Sequence, residues 1–495
     1  MKTQQQATQS MVDLVNATQS ISYRFINTAT PLMDHQVTAA KFVLEQPKRK
    51  SALLALDMGT GKTATAVALC LSSIDAGMRP VLVVCPPSMR LQFAREFARF
   101  APSLHTETIQ GTNPKKDGIT AIPDCDVIIA GDSSIVGWLP LLIGNVKGII
   151  LDECQRIKDK RAKRSGAVLR VAHSVPASGI RVAMSGTPLI ATPMHLVSVI
   201  DMLQTSEVFG GIGRFIGRYA PKIDSYGSRG TARLEELHDV LCDSFMLRMR
   251  RDEVLELPNH GRITRVVEME SKYSKMYQYA EQNLYEWLKI TKGAERADKA
   301  FKSEALSRLN ELRRLAGLGK ISSVIEYARE LLDLGEQVFI TCAHTEVARR
   351  LCDEFKNDNC VAIVGGMNDA AKMDAVDRFQ SGDARVLVGN ITASSVGLTL
   401  TSARHHISAE LPWSSIDLEQ CEARISRNSQ TRETVSSILL GACTDGSRTI
   451  DERIFALLEQ KHTVVTAVLD GKPADLIDED LESIAMAVLR TYDTD

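Results

Sequence analysis

One short run, Asp57-Met58-Gly59-Thr60-Gly61-Lys62-Thr63, constrains this 495-residue chain more than any other stretch. It follows an apolar segment at 51–56 (SALLAL) that reads as a buried strand. It leads into Ala64-Thr65-Ala66-Val67-Ala68-Leu69, which reads as the opening of a helix. A strand, a Gly-rich turn and a helix with Lys-Thr at the junction make a cradle for phosphate. The glycines let backbone N–H groups approach, and the helix N-terminus favours negative charge. In such a cradle Gly59, Thr60 and Gly61 wrap the phosphates, Lys62 reaches the β- and γ-phosphates, and Thr63 ligates Mg²⁺. The strict pattern asks for Gly where Leu56 stands, so this is the looser G-x-G-K-T form.

The same grammar runs on either side of the middle of the chain. Apolar strand-like runs at 51–56, 81–85, 127–130, 148–151 and 182–184 alternate with helical stretches. A second series follows at 338–341, 361–364, 386–389, 405–409 and 436–440. Continuous apolar strands separated by helices predict parallel sheets covered on both faces, hence two α/β lobes. Between them strand signals are sparse. Tyr273, Met276, Tyr277, Ala280, Leu284, Trp287 and Leu288 recur at helical spacing, so 192–320 reads as helical protrusions and a linker. A Gly/Ser-rich stretch at 219–231 reads as a loop. The expected organisation is a polar N-terminal segment (1–30), a nucleotide-binding lobe (31–191), the helical middle (192–320), a second lobe (321–465) and an acidic C-terminal segment (466–495).

Further motifs sit at strand ends. Gly148-Ile149-Ile150-Leu151-Asp152-Glu153-Cys154-Gln155 is a strand closing on two carboxylates. In nucleotide hydrolysis one carboxylate holds Mg²⁺ and the next orients the attacking water, which assigns the metal to Asp152 and the water to Glu153. Ser185-Gly186-Thr187-Pro188 follows another strand, and its hydroxyls are able to bond to the Asp152–Glu153 loop. In Gln420-Cys421-Glu422-Ala423-Arg424-Ile425-Ser426-Arg427, a helical reading puts Arg424 and Arg427 on one face, where they could stabilise a γ-phosphate in the transition state.

Taken in order, these motifs resemble the Swi/Snf-type superfamily-2 helicase-like ATPases from about Thr30 to Leu457. Residues 32–42 with Gln36 resemble the adenine-reading Q motif, and 57–63 motif I. Residues 84–88, with the helix carrying Phe93, Glu96 and Phe97, resemble motif Ia. Asp152 to Gln155 resembles motif II, Ser185 to Pro188 motif III, and Gln420 to Gln430 motif VI. The arginine-rich run Phe245-Met246-Leu247-Arg248-Met249-Arg250-Arg251-Asp252-Glu253-Val254, closing on Leu257-Pro258, resembles the Swi/Snf group in particular. Gly397-Leu398-Thr399-Leu400-Thr401 and Ala409-Glu410-Leu411-Pro412-Trp413 lean toward its annealing-helicase (HARP-like) subgroup. Gln155 stands where motif II usually has His, and motif VI reads Arg427-Asn428-Ser429-Gln430 instead of Arg-Ile-Gly-Gln.

The resemblance implies two RecA-like lobes with helical insertions between them, and ATP with Mg²⁺ as cofactors. It implies catalysis by Lys62, Asp152, Glu153, Arg424 and Arg427, with Ser185, Thr187 and Gln155 coupling nucleotide to motion. It also implies translocation on double-stranded DNA, with ATP between the lobes and DNA across both. Backbone tracking needs phosphate contacts, for which Ser88, Arg90, Asp132, Ser133, Gly365, Gly366 and Thr392 are candidates in loops after strands. The expected activity is remodelling of forked or branched DNA by a monomer. Two alternatives are displacement of proteins or RNA polymerase from duplex DNA, and a nucleotide-binding scaffold with weak hydrolysis.

Composition bounds these expectations. Net charge is −2, so DNA contact must come from local patches such as 48–50, 158–164 and 248–251. The ten cysteines form no C-x-x-C pair, and no apolar run is long enough to span a bilayer. The N-terminus has no signal-peptide pattern. A cytoplasmic, DNA-associated protein is expected, and the resemblance, with no room for an accessory domain, implies a prokaryotic or viral member.

Overall fold

The computed structural model describes residues 28–46, 49–190, 192–221, 231–255, 258–290, 299–394, 398–427 and 430–472. Most of the polar N-terminal segment and of the acidic C-terminal segment lie outside the described residues. So do most of the Gly/Ser loop, Lys48, Leu257, Gly397, Asn428 and Ser429.

Two compact units emerge, each built on its own parallel sheet. The first sheet contains β1 (Ser51–Leu56), β2 (Val81–Cys85), β3 (Thr106–Thr108), β4 (Val127–Gly131), β5 (Gly148–Asp152), β6 (Arg181–Ser185) and β7 (Met246–Met249). Their spatial order is β3-β4-β2-β5-β6-β1-β7. The second contains β8 (His260–Glu268), β9 (Val338–Cys342), β10 (Val361–Ile363), β11 (Val386–Asn390), β12 (His405–Ser408) and β13 (Thr434–Ala442), in the order β10-β11-β9-β12-β13-β8. Every strand pairing in both sheets is parallel, as the two series of apolar runs predict. In the first sheet β1, β2, β4, β5 and β6 are buried along their whole length. Helices cover them: that at Arg90–Phe100 presents Phe93, Phe97 and Phe100 inward at helical spacing, each worth roughly 1.5–3 kcal/mol of burial.

The middle of the chain departs from the reading of sparse strand signals. It supplies β7, which pairs with β1, and β8, which pairs with β13 along nine register positions. Both are edge strands. β8 is exposed at most positions and carries Arg, Thr and Gly among its apolar residues, so it has no continuous apolar run to betray it. The helix Ser271–Ile290 follows, as the spacing predicts, and after it the helix Lys299–Gly319. Tyr273, Tyr277 and Leu284 join Leu309, Leu312 and Leu315 in the same core as Val338 and Ile340 of β9, so this helical pair is fused to the second unit. A buried ion pair pins the junction. Lys320, fully buried, meets Asp451 at 2.6 Å and also donates to Leu439 O at 2.7 Å.

Among the described residues no helix is long and apolar enough to cross a membrane, and none of the ten cysteines forms a disulfide.

Because the strands of each sheet run parallel, their C-terminal ends lie along one edge. The loops that follow them converge there. In the first sheet that edge carries the loops after β1, β2, β4, β5 and β6. In the second it carries those after β9, β10, β11 and β12.

Candidate active site

The loop after β1 has the conformation a phosphate cradle requires. Gly59 and Gly61 take positive φ, 86° and 82°, a region open to glycine at little cost. Gly61 then stands at the N-cap of the helix Lys62–Asp75. Thr60 is fully buried; its hydroxyl and amide both donate to Asp57 O, at 2.8 and 3.4 Å. The Lys62 ammonium donates back to the carbonyls of Leu56 and Asp57, at 3.2 and 3.4 Å. Thr63 is its neighbour in the first helical turn.

Two side chains outside the loop secure it. His35 Nε2 bonds Thr60 O at 2.7 Å, and Gln36 Nε2 donates to the same carbonyl at 3.2 Å. Gln36 Oε1 accepts from Met33 N at 3.1 Å, closing the start of the helix Asp34–Leu44. Behind the loop, Arg248 on β7 pairs with Asp57 at 2.6 Å and donates to Ala55 O at 3.2 Å. The basic run at 248–251 predicts Arg248 in a surface patch for DNA. Arg248 is instead a largely buried partner of the phosphate loop, and the register Ala55↔Arg248 puts it there. His35 had a signal, its adjacency to Gln36. Arg248 had none, because its partner lies far away in the chain.

The carboxylates come from the end of β5, which lies between β2 and β6. Asp152 is the last residue of the strand and is buried. Glu153 follows with φ 52°, a left-handed conformation that non-glycine residues seldom take. It opens a single 3-10 turn, Cys154–Ile157. Glu153 Oε2 accepts from Gln155 Nε2 at 2.7 Å and from Ser185 Oγ at 3.2 Å, and Ser185 Oγ in turn accepts from Thr187 N at 3.0 Å. The structure thus brings Glu153, Gln155, Ser185 and Thr187 into one network across the ends of β5 and β6. Glutamine in the place of the usual histidine still donates to the carboxylate.

Burial, and then the charge of Glu153, push the Asp152 carboxyl up to about 7, while Lys62 draws it back down. A buried carboxylate in this setting suits a hard cation. Thr63 and Asp152 offer oxygen ligands of the kind Mg²⁺ takes and would hold it there. Among the described residues, buried Gln155 Oε1 and Thr187 Oγ1 have no hydrogen-bond partner, so the network keeps polar capacity for water or ligand. The donor set fits a nucleotide with its magnesium.

A pH dependence follows. The folded state holds the Asp152 proton more tightly than the unfolded chain does. Asp152 should therefore erode the stability of ligand-free protein as pH rises from about 4 to about 7, by up to about 1.4 kcal/mol per pH unit, with no further loss above. Denaturant titrations between pH 4.5 and 7.5 should show Asp152→Asn with the flatter profile and the higher stability at pH 7.5. Parallel profiles would contradict the assignment.

Family comparisons decide the class. The model of the SNF2-related domain matches residues 35–316, more than half of the chain. The chain belongs to the SNF2-related family. The helicase conserved C-terminal domain matches residues 320–429, and together the two domains make this SNF2-related protein a helicase-type ATP hydrolase. Among curated relatives, the SWI/SNF-related matrix-associated actin-dependent regulator of chromatin subfamily A-like protein 1 of Xenopus laevis is 28% identical over 449 residues. That match covers 88% of this chain and 44% of the relative. The DNA annealing helicase and endonuclease ZRANB3 of Mus musculus is 25% identical over 463 residues, covering 90% and 41%. The chain spans less than half the length of these relatives. A solved Sulfolobus solfataricus SWI2/SNF2 ATPase core in complex with dsDNA is 21% identical, covers 90% of this chain and 95% of its own, and has a TM-score of 0.41.

The remaining candidates of this SNF2-related chain lie as follows. Motif VI is not helical at its arginines. The helix Ser415–Glu422 ends before them, and Arg424 and Arg427 stand on the turns that follow. Arg424 is buried and donates to Leu398 O at 3.2 Å; half-buried Arg427 donates to Thr399 Oγ1 at 2.9 Å. Both thereby tie motif VI to motif V. Arg251, from the basic run, donates to Ser426 O at 3.0 Å.

Ser133, Gly365 and Gly366 are exposed in loops after β4 and β10; Thr392 is exposed too, but stands in the short helix Ile391–Ser394 that follows β11 directly, and not in a loop. Ser88 is half-buried after β2. Arg90 is turned onto Pro87 O and Gln110 Oε1, each at 3.1 Å. Asp132 differs from the other DNA-contact candidates. It is buried and ion-paired with Arg156 and Arg164, so it faces cations of its own chain and is no phosphate contact itself.

Proposed function

We propose that this SNF2-related ATPase is stimulated by DNA, moves along the duplex and remodels forked or branched DNA. The observation that carries the reading is the gathering of Gly59–Thr63, Asp152, Glu153, Gln155 and Ser185 at one edge of a parallel sheet, in a chain whose family is established. A relative named as a DNA annealing helicase supports the DNA part.

In this reading Gln36 reads the adenine, the loop 59–63 holds the phosphates, and Thr63 and Asp152 hold Mg²⁺. Bound Mg²⁺ neutralises phosphate charge during transfer. Glu153, steadied by Gln155 and Ser185, orients the attacking water. Arg424 and Arg427 stabilise charge developing on the γ-phosphate. Ser88, Arg90, Ser133, Gly365, Gly366 and Thr392 contact DNA phosphates, which sets position without reading sequence.

The test is ATP turnover without DNA and with single-stranded DNA, linear duplex, a fork and a four-way junction at equal nucleotide concentration. Stimulation should be greatest with the fork or junction. Log affinity for duplex should fall with log salt by roughly 0.9 per phosphate neutralised. No stimulation by any DNA would sink the translocase reading; equal stimulation by all would remove its preference for branched structures.

A further inference from the structure

The turn that carries Glu153 is held from two sides, and only one hold belongs to the motifs described above. On the near side Gln155 and Ser185 bond the carboxylate itself. On the far side Arg156, the next residue of the same turn, donates its Nε to Asp132 Oδ2 at 2.7 Å. Arg156 N also donates to Glu153 O at 3.0 Å, so the position of Arg156 is transmitted directly to the backbone of Glu153.

Asp132 is well placed to serve as an anchor. Its side chain is 3% exposed, and its own amide donates to Cys85 O at 3.0 Å, tying it to the ends of β4 and β2. The preceding residue, Gly131, abuts Pro87: a Cβ there would lie 3.4 Å from Pro87 Cγ. A second cation, Arg164 in the first turn of the helix Lys163–Ser174, reaches the same Oδ2 at 3.5 Å. A buried carboxylate needs such partners, and one fixed to a sheet end imposes its position on them. The geometry matters because Glu153 is left-handed, and a non-glycine residue stays in that region only where its surroundings over-determine it.

We propose that Asp132 is a positioning residue for Glu153, acting through Arg156. The inference rests on the hydrolytic role given to Glu153 above. In this role Asp132 acts on the turn through Arg156, and not on nucleotide or water directly. It fixes the turn from which Glu153 projects, so its loss disturbs the chemical step while leaving the phosphate cradle of Gly59–Thr63 intact.

The experiment is steady-state ATP turnover by the full chain as wild type, Asp132→Asn, Arg156→Gln, the double variant and Arg156→Lys, with a denaturant melt of each. Either single change should lower kcat about ten-fold and leave KM for ATP within two-fold. The double variant should be no slower than the slower single. Arg156→Lys, which restores the charge, should recover part of the loss. Should Asp132→Asn fail to fold, Arg156→Gln, at a one-third-exposed position, gives the same reading from the other side of the pair.

Wild-type kcat in both single variants would overturn the inference. So would additive losses in the double, or kcat and KM changing together in proportion to lost stability. Absence of turnover in the wild type would instead bring down the hydrolytic reading on which this one stands. Normal wild-type turnover with an unaffected Asp132→Asn rejects the positioning role alone.

Discussion

Glu153→Gln should lower ATP turnover by about 10² or more while leaving ATP binding intact. The substitution changes charge but little volume. Glu153 Oε2 accepts two hydrogen bonds, from Gln155 and Ser185, and a Gln amide oxygen is able to keep both. What it loses is the carboxylate that orients and polarises water. The phosphate loop is built from other residues and should be unaffected, so a fluorescent ATP analogue should bind with near wild-type affinity. Hydrolysis at the wild-type rate would show that Glu153 is not the catalytic carboxylate.

Arg427→Ala should abolish DNA-stimulated hydrolysis while nucleotide affinity stays within a few-fold. An interaction made mainly in the transition state affects turnover and not ground-state binding. Of the two motif VI arginines, Arg427 gives the cleaner test. Arg424 is 4% exposed and bonds Leu398 O, while its own carbonyl accepts from Leu400 N at 2.9 Å. Its truncation leaves a buried acceptor unsatisfied and should cost stability as well as activity. Arg427 is half-buried, and its side-chain bonds include those to a threonine hydroxyl and to the carbonyl of Ala423. Single-turnover hydrolysis with and without duplex DNA, beside a thermal melt, separates the outcomes. A lower melting temperature with stimulated turnover retained would reduce Arg427 to a structural tie between motifs V and VI.

The parts of this fold that could be read from sequence are those governed by local rules. Strands such as VLVVC at 81–85 and GIILD at 148–152 are buried on both faces, so they are apolar throughout and need no context to recognise. The phosphate loop is equally local, since its glycines, lysine and threonine act within a few residues of one another.

What escaped reading depends on distant partners. β7 and β8 are edge strands with polar residues, indistinguishable from linker until β1 and β13 are seen to need neighbours. Arg248 looks like one member of a surface basic run; only pairing with β1 turns it toward Asp57. Asp132 lies in a small hydroxyl-rich loop and gives no sign of burial, because the arginines that neutralise it come from the turn after β5 and the next helix. A helical reading of motif VI fails at Ala423 because the chain turns there and brings Arg424 to the carbonyl of Leu398.

β7 also bears on how such a chain can be rearranged by recombination. The strand that completes the nucleotide-binding sheet is encoded some sixty codons after the end of β6, beyond several helices. A crossover between related genes anywhere in that interval would deliver a β1 edge from one parent and its neighbour from another. Any apolar strand can restore parallel pairing, but the Arg248–Asp57 contact survives only if the parent that supplies β1 carries Asp57 and the parent that supplies β7 carries Arg248. Inheritance of the phosphate-binding sheet as a working unit therefore extends through residue 249, well past the motif at Ser185–Pro188.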